Sequence, residues 1–324
     1  MFVSISSLFL TPPPNNFTIK LNLNHLCPSI QNLVKSPSSS SCTGNKTCLC
    51  GRRPFLATVS TALIPLHQSN ASDDPKGARV IRVKVKADNF TSLLHNAVMN
   101  RFHPPRPDWY EEFYAVAMDA SMKSYEAELL FNKIAGYKSE LFANLTGKAA
   151  KILEIGIGTG PNLKYYGNLA SGVSVVGVDP NRKMEKYAQA AAQASGLSPT
   201  KFKFVNAVAE ALPVSDASMD AVVGTLVLCS VKDVNKALQE VKRVLKPGGI
   251  YIFVEHVAAE DGTFLKVIQR ALDPLQQVVA DGCHLTRETG HIISAAGFSS
   301  TAIKKVFLSS ASLINPHAYG IAYK

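Results

Sequence analysis

The stretch "KILEIGIGTGPN", Lys151 to Asn162, decides how this chain reads. Ile152, Leu153 and Ile155 form the apolar run of a buried strand, and Gly156, Gly158 and Gly160, on alternate positions, read as the tight turn that leaves it. Glycine is needed where φ is positive or where a ligand must approach the backbone closely. A helix over about 160–169 then aims its free N–H groups at the same point. The stretch therefore predicts a nucleotide-type cofactor site, without saying which nucleotide.

Working outward, strand and helix signals alternate from Lys151 onward. Strands are expected near 151–156, 173–179, 201–206, 219–225, 250–257, 299–307 and 317–323, with helices near 160–169, 181–195, 233–246, 263–280 and 286–296. Alternation of this kind predicts an α/β fold with a parallel, doubly wound sheet of seven strands and a ligand at the carboxyl ends of the strands. Before it, Pro105 and Pro107 break the chain and a helical cap is expected over 108–146, so that the core domain runs from 147 to 324. Residues 73–107 read as a basic, irregular linker.

The 324 residues carry a formal charge of +10, yet five of the 34 basic residues (Lys20, Lys35, Lys46, Arg52, Arg53) precede Asp73, the first acidic residue. The remaining 29 face 24 acidic residues, an ordinary surface balance that, with no basic stripe interleaved with aromatics, gives no sign of a nucleic-acid partner. Residues 1–72, acid-free and serine-rich, have the composition of an organelle transit peptide, which predicts a disordered leader and delivery to a plant chloroplast. Within it, Arg52 and Arg53 precede a short apolar core, Phe55 to Leu66, and small residues at Ser69 to Ala71. That order fits a twin-arginine export signal to the thylakoid lumen as well as an accidental arginine pair. Four of the six cysteines lie in the leader; Cys229 and Cys283 remain for the body, and no metal site is read from the spacing.

Two cofactors compete for the glycine turn. A dinucleotide fingerprint, G-x-G-x-x-G, would place its last glycine at Pro161 and fails there. What stands is Glu154-x-Gly156-x-Gly158-x-Gly160, which resembles motif I of the class I S-adenosylmethionine-dependent methyltransferases. In "VVGVDPN", Asp179 ends the second strand about twenty residues on, placed to accept the ribose hydroxyls, with Pro180 after it. An N-cap on the next helix is the other role open to Asp179. "VAEALPVSDASMDAVV" and "LKPGGIYIFVEH" resemble the adenine-side loop and the helix-turn-strand of the same class. Val208 stands where many relatives have an aspartate, which passes adenine recognition to Ala209 and Glu210. "LVLCSV", "EHVAAE", "DGCHLTRE" and "PHAYG" narrow the resemblance to the animal thiol S-methyltransferases, over roughly Tyr137 to Lys324.

The resemblance implies a Rossmann-like methyltransferase fold, S-adenosylmethionine as cofactor, and Thr225 and Leu226 among its contacts. It implies a small or lipophilic acceptor, with a thiol favoured; a quinone or prenyl lipid is the alternative, and a binding protein without turnover the alternative of another class. Those relatives carry a membrane anchor, so peripheral membrane association is an open expectation. Ionising a thiol at pH 7 costs about 2 kcal/mol and a phenol about 4 kcal/mol, so a positioned base matters more for the phenol. His256, ending the fifth strand, is the first candidate base, and His284 in "DGCHLTRE", with Asp281 and Arg287 nearby, is the second. Phe264, Ile268, Leu272, Leu275 and Val279 recur at helical spacing and are expected to face the sheet.

Overall fold

The computed structural model describes residues 16–22, 71–73, 79–131, 135–167, 169, 172–308 and 312–324. The chain divides into two units, Met1–Leu94 and His95–Lys324. In the first, β1 (Asn16–Asn22), β2 (Ala71–Asp73) and β3 (Arg79–Lys86) form an antiparallel sheet of order β1-β3-β2. The helix α1 (Ala87–Phe102) follows β3.

These elements correct two expectations. The linker is regular over 79–102, a strand followed by a helix, and the leader has a strand at 16–22. The reason is period-two alternation: Phe17, Ile19 and Leu21 stand opposite Val85, Val83 and Ile81 in register, the pattern of a paired strand. The paired-arginine stretch, Arg52 to Asn70, lies outside the described residues.

In the second unit, α2 (Asp108–Phe131) and α3 (Ala135–Ala143) occupy the expected cap. The core then runs β4 (Lys151–Ile155), α4 (Leu163–Gly167), β5 (Ser174–Asp179), α5 (Glu185–Ala194), β6 (Phe202–Asn206), β7 (Met219–Thr225), α6 (Val234–Val244), β8 (Leu245–His256), α7 (Phe264–Val279), α8 (Thr289–Ala295), β9 (Ser300–Val306) and β10 (His317–Tyr323). All seven expected strands are present, in the order β6-β5-β4-β7-β8-β10-β9. The expected all-parallel sheet is corrected in one strand: β10 runs antiparallel between β8 and β9. The segment joining β9 to β10 contains only a single 3-10 turn among its described residues, and without a crossover helix the chain returns antiparallel.

Each face of the sheet carries its own core. Leu153, Val222, Leu238, Val241 and Phe253 pack on one side, and Ile152, Leu163, Val175, Val223 and Ile252 on the other. Helix α6 shows why: Val234, Leu238 and Val241 fall on one stripe, and Asp233 caps it by accepting from Lys236 N. Helix α7 departs from expectation. Its apolar residues Phe264 and Leu275 are 79% and 60% exposed, while Lys266 and Gln269 are buried. Gln269 is held by Ala259 N and by the carbonyls of Leu313 and Asn315, and those three bonds outweigh the apolar stripe in setting the helix's rotation. Among the described residues no helix is long and apolar enough to cross a membrane.

The strand order reverses at β4, which pairs with β5 on one side and β7 on the other. A crevice opens at such a reversal, beyond the carboxyl ends of the strands.

Candidate active site

That crevice is a cleft enclosing about 990 Å³ when the solvent at its open mouth is counted. Its floor is the glycine turn. Gly156, at φ +60°, lies under Val227, and a Cβ there would collide with the Val227 side chain. Gly158, at φ +52°, differs: its Cβ would meet nothing within 4 Å, because it would point into the cleft. Gly160 does not line the cleft. A Cβ on it would strike Leu163 and Ala188, so it is the packing glycine between the turn and helix α5 rather than the cofactor contact expected.

Asp179, at the end of β5, is 8% exposed and lines the cleft. Its Oδ2 accepts from Gly158 N at 3.0 Å and its Oδ1 from Asn181 N at 2.9 Å, which leaves lone pairs on both oxygens. Burial pushes the carboxyl up to about 6; the two N–H donors and His103 restrain the rise, and Asp281 adds to it. The expected N-cap role belongs to Asn181 instead, whose side chain accepts from Lys183 N.

Glu154 lines the cleft and is also the anchor beneath it. Its Oε1 accepts from Asn162 Nδ2 at 2.8 Å and its Oε2 from the Tyr166 hydroxyl at 2.6 Å. Burial lifts its pKa to about 7 against the pull of both bonds. Asn162 Nδ2 also donates to Thr225 Oγ1 at 3.0 Å, so Glu154 and Thr225 together fix the turn. Glu154→Ala is expected to destabilise the fold by about 2–3 kcal/mol, because two buried donors lose their acceptor, and Glu154→Gln by less than half of that; urea denaturation checks the difference.

Pro180, Ala207, Val208, Ala209 and Leu226 complete this side of the cleft. Glu210 lines it too, but its Oε1 is taken by Lys232 N and Asp233 N at 2.8 and 3.1 Å, so it holds the loop ahead of α6. Leu226, at φ +55°, is a bulky residue in the left-handed region, strain of the kind retained at binding sites.

The opposite wall comes from ahead of the core: Phe102, His103, Tyr114, Met118 and Met122. His103 was not singled out in the sequence, because nothing local connects it to a site. Its Nε2 donates to Asp281 at 3.1 Å, and Arg106 Nε contacts the same carboxylate at 3.0 Å. Burial lowers the imidazole's pKa, but the Asp281 bond and charge more than offset it, and the net shift is upward. With its proton fixed on Nε2, Nδ1 is left as the acceptor.

The two expected bases lie elsewhere. His256 is 2% exposed, absent from the cleft lining, and faces Cys283 Sγ at 3.0 Å. His284 is also off the cleft, with Nδ1 3.5 Å from Asp273 Oδ2 on α7. Arg287 donates to the carbonyls of Cys229 and Val231 and so braces the loop after β7. Trp109 and Phe113, on the same helix as Tyr114, are exposed and do not line the cleft.

A family model described as a methyltransferase domain matches residues 153–253. Thiol S-methyltransferase TMT1A of Homo sapiens is 42% identical over 205 residues, 60% of this chain and 82% of that protein. Thiol S-methyltransferase TMT1B of Rattus norvegicus is 41% identical over 180 residues, 54% of this chain and 72% of that protein. Among solved structures, a chain of the Haloferax volcanii complex between the Trm112 methyltransferase activator and a methyltransferase matches with a TM-score of 0.50 at 15% identity, over 68% of this chain and 99% of that one.

Proposed function

Since this chain belongs to the S-adenosylmethionine-dependent methyltransferases, in the family of the thiol S-methyltransferases, we propose that its acceptor is a small apolar thiol, methylated on sulfur. The observation that carries the proposal is the 42% identity to a thiol S-methyltransferase across 82% of that protein. The cleft fits the cofactor: Gly158 leaves its floor open and Asp179 offers two buried carboxylate oxygens. When bound there, S-adenosylmethionine supplies an electrophilic sulfonium methyl group.

The chain's own residues then have three tasks. Asp179 and the Gly156–Gly158 backbone hold the cofactor end. Phe102, Met118 and Met122 supply an apolar wall for the acceptor's body and exclude water from it. His103, oriented by Asp281, takes the acceptor's proton on Nδ1. A thiol of ordinary pKa near 8.5 is within easy reach of such a base, while a phenol near 10 asks more of it.

Purified protein, labelled cofactor and a panel of alkyl and aryl thiols, phenols and quinols test the proposal. Label is expected in a thioether. Methylation of a quinol or phenol with none of the thiols converted overturns the thiol reading. His103→Asn is expected to lower kcat/KM for the thiol by about 10–100-fold at pH 7, with the deficit closing above the thiol's pKa, where the nucleophile is already ionised. A pH profile parallel to that of wild type removes His103 as the base.

A further inference from the structure

Cys229, His256 and Cys283 come from three distant stretches: the loop after β7, the last residue of β8 and the segment after α7. Their ligand atoms, two sulfurs and one imidazole nitrogen, lie within 4.8 Å of one another, and all three residues are buried. His256 Nδ1 has no hydrogen-bond partner, so the polar contact of the ring is the one it directs at Cys283 Sγ, 3.0 Å from Nε2. Gln276 Nε2 approaches Cys283 Sγ at 3.8 Å, and Cys229 Sγ lies 3.6 Å from Ser230 Oγ. The methyl-transfer chemistry uses none of the three.

We propose that Cys229, His256 and Cys283 hold a zinc-class divalent cation, which ties together the three segments behind the cleft wall. Two thiolates and an imidazole are the donor set that soft and borderline metals select. With Zn–S near 2.3 Å and Zn–N near 2.0–2.1 Å, tetrahedral ligation puts ligand atoms roughly 3.5–3.8 Å apart, inside the observed spread. Two thiolates balance the doubly positive ion, so the loaded cluster carries no net charge in its buried setting. A disulfide between the cysteines would instead leave His256 Nε2 against a sulfur–sulfur bond, with neither ring nitrogen satisfied. The site borders the cleft directly: Ser230 and Asp281, beside Cys229 and near Cys283 in the chain, both line it. Three protein ligands leave a fourth position for a small ligand.

The test uses the full chain, purified under reducing conditions. About one zinc per chain is expected by elemental analysis, and cobalt loading is expected to give thiolate-to-cobalt charge-transfer absorption. Cys283→Ser and His256→Asn are expected to lose at least nine-tenths of the bound metal. Should a variant fail to fold, the wild-type cobalt spectrum and the effect of a chelator, an expected fall of about 5–10 °C in Tm, still decide the matter. A cobalt-loaded wild type without the charge-transfer band, metal content unchanged in both variants, or a Cys229–Cys283 disulfide in a parallel preparation made without reductant overturns the proposal.

Discussion

Gly158→Val is expected to weaken S-adenosylmethionine binding by at least about 100-fold, roughly 3 kcal/mol, the upper range for overfilling a packed site. The side chain would project where Gly158 now borders open cleft, with nothing within 4 Å of its Cβ. Valine adds two methyl groups in that space, and the turn has no freedom to move them aside, because Gly156 is locked beneath Val227. Backbone strain at φ +52° adds about 1–2 kcal/mol against folding, so Gly158→Ala is the control: it carries the strain with less of the bulk. Calorimetric titration with thermal melts of both variants separates the effects. Binding by folded Gly158→Val within a few-fold of wild type would place the cofactor elsewhere. Gly156→Ala should behave differently, losing stability first, since its Cβ meets Val227 rather than open space.

Asp179→Ala is expected to raise the Kd for S-adenosylmethionine by about 10–150-fold, the scale of lost hydrogen bonds from hydroxyls to a buried carboxylate. The same carboxylate makes binding pH-dependent. Its pKa of about 6 in the folded chain means that it is ionised above that pH and protonated below it. Ribose hydroxyls donate to the ionised form, so cofactor binding favours that form and releases a proton near pH 6. Wild-type affinity is therefore expected to fall by up to tenfold per pH unit below 6, whereas Asp179→Asn, weaker throughout, should lack this dependence. Titrations in buffers of different ionisation enthalpy read the released proton directly; no proton release near pH 6 would detach Asp179 from the ligand.

What was legible in the sequence was what is local. The seven strands follow from apolar runs and turn residues, and Asp179 and Gly158 follow from their spacing after a strand. Gly160 belongs to the same turn, but a Cβ there would meet Leu163 and Ala188, and residue type alone does not separate a packing glycine from one that faces a ligand. The acceptor wall was not legible. His103 sits among prolines, and its partner Asp281 is 178 residues away; Tyr114, Met118 and Met122 share one face of α2 at spacing four, but that spacing is the same for a stripe that packs and a stripe that lines a cleft. The cysteine–histidine cluster is not legible for the same reason, since its members are separated by 27 residues each time with no paired spacing of the kind that announces a metal. The reversed direction of β10 was hidden because parallel and antiparallel strands of a buried sheet carry similar apolar residues.

The two walls of the cleft come from different parts of the chain: residues within 154–231 line one side, and residues within 102–122, with Asp281, face them. Substitution at Phe102, Met118 and Met122, which leaves His103 and its partner Asp281 in place, does not touch the glycine turn or Asp179, so acceptor preference is expected to vary while methyl donation stays constant. The docking of the cap sets the boundary conditions for such variation. Asn181 Nδ2 donates to Glu111 O, Lys183 pairs with Asp108, and the Tyr110 hydroxyl donates to Val278 O, and none of these contacts involves a cleft-facing side chain of the cap. A combinatorial library confined to Phe102, Met118 and Met122 would thus vary acceptor preference inside a scaffold whose assembly is already secured.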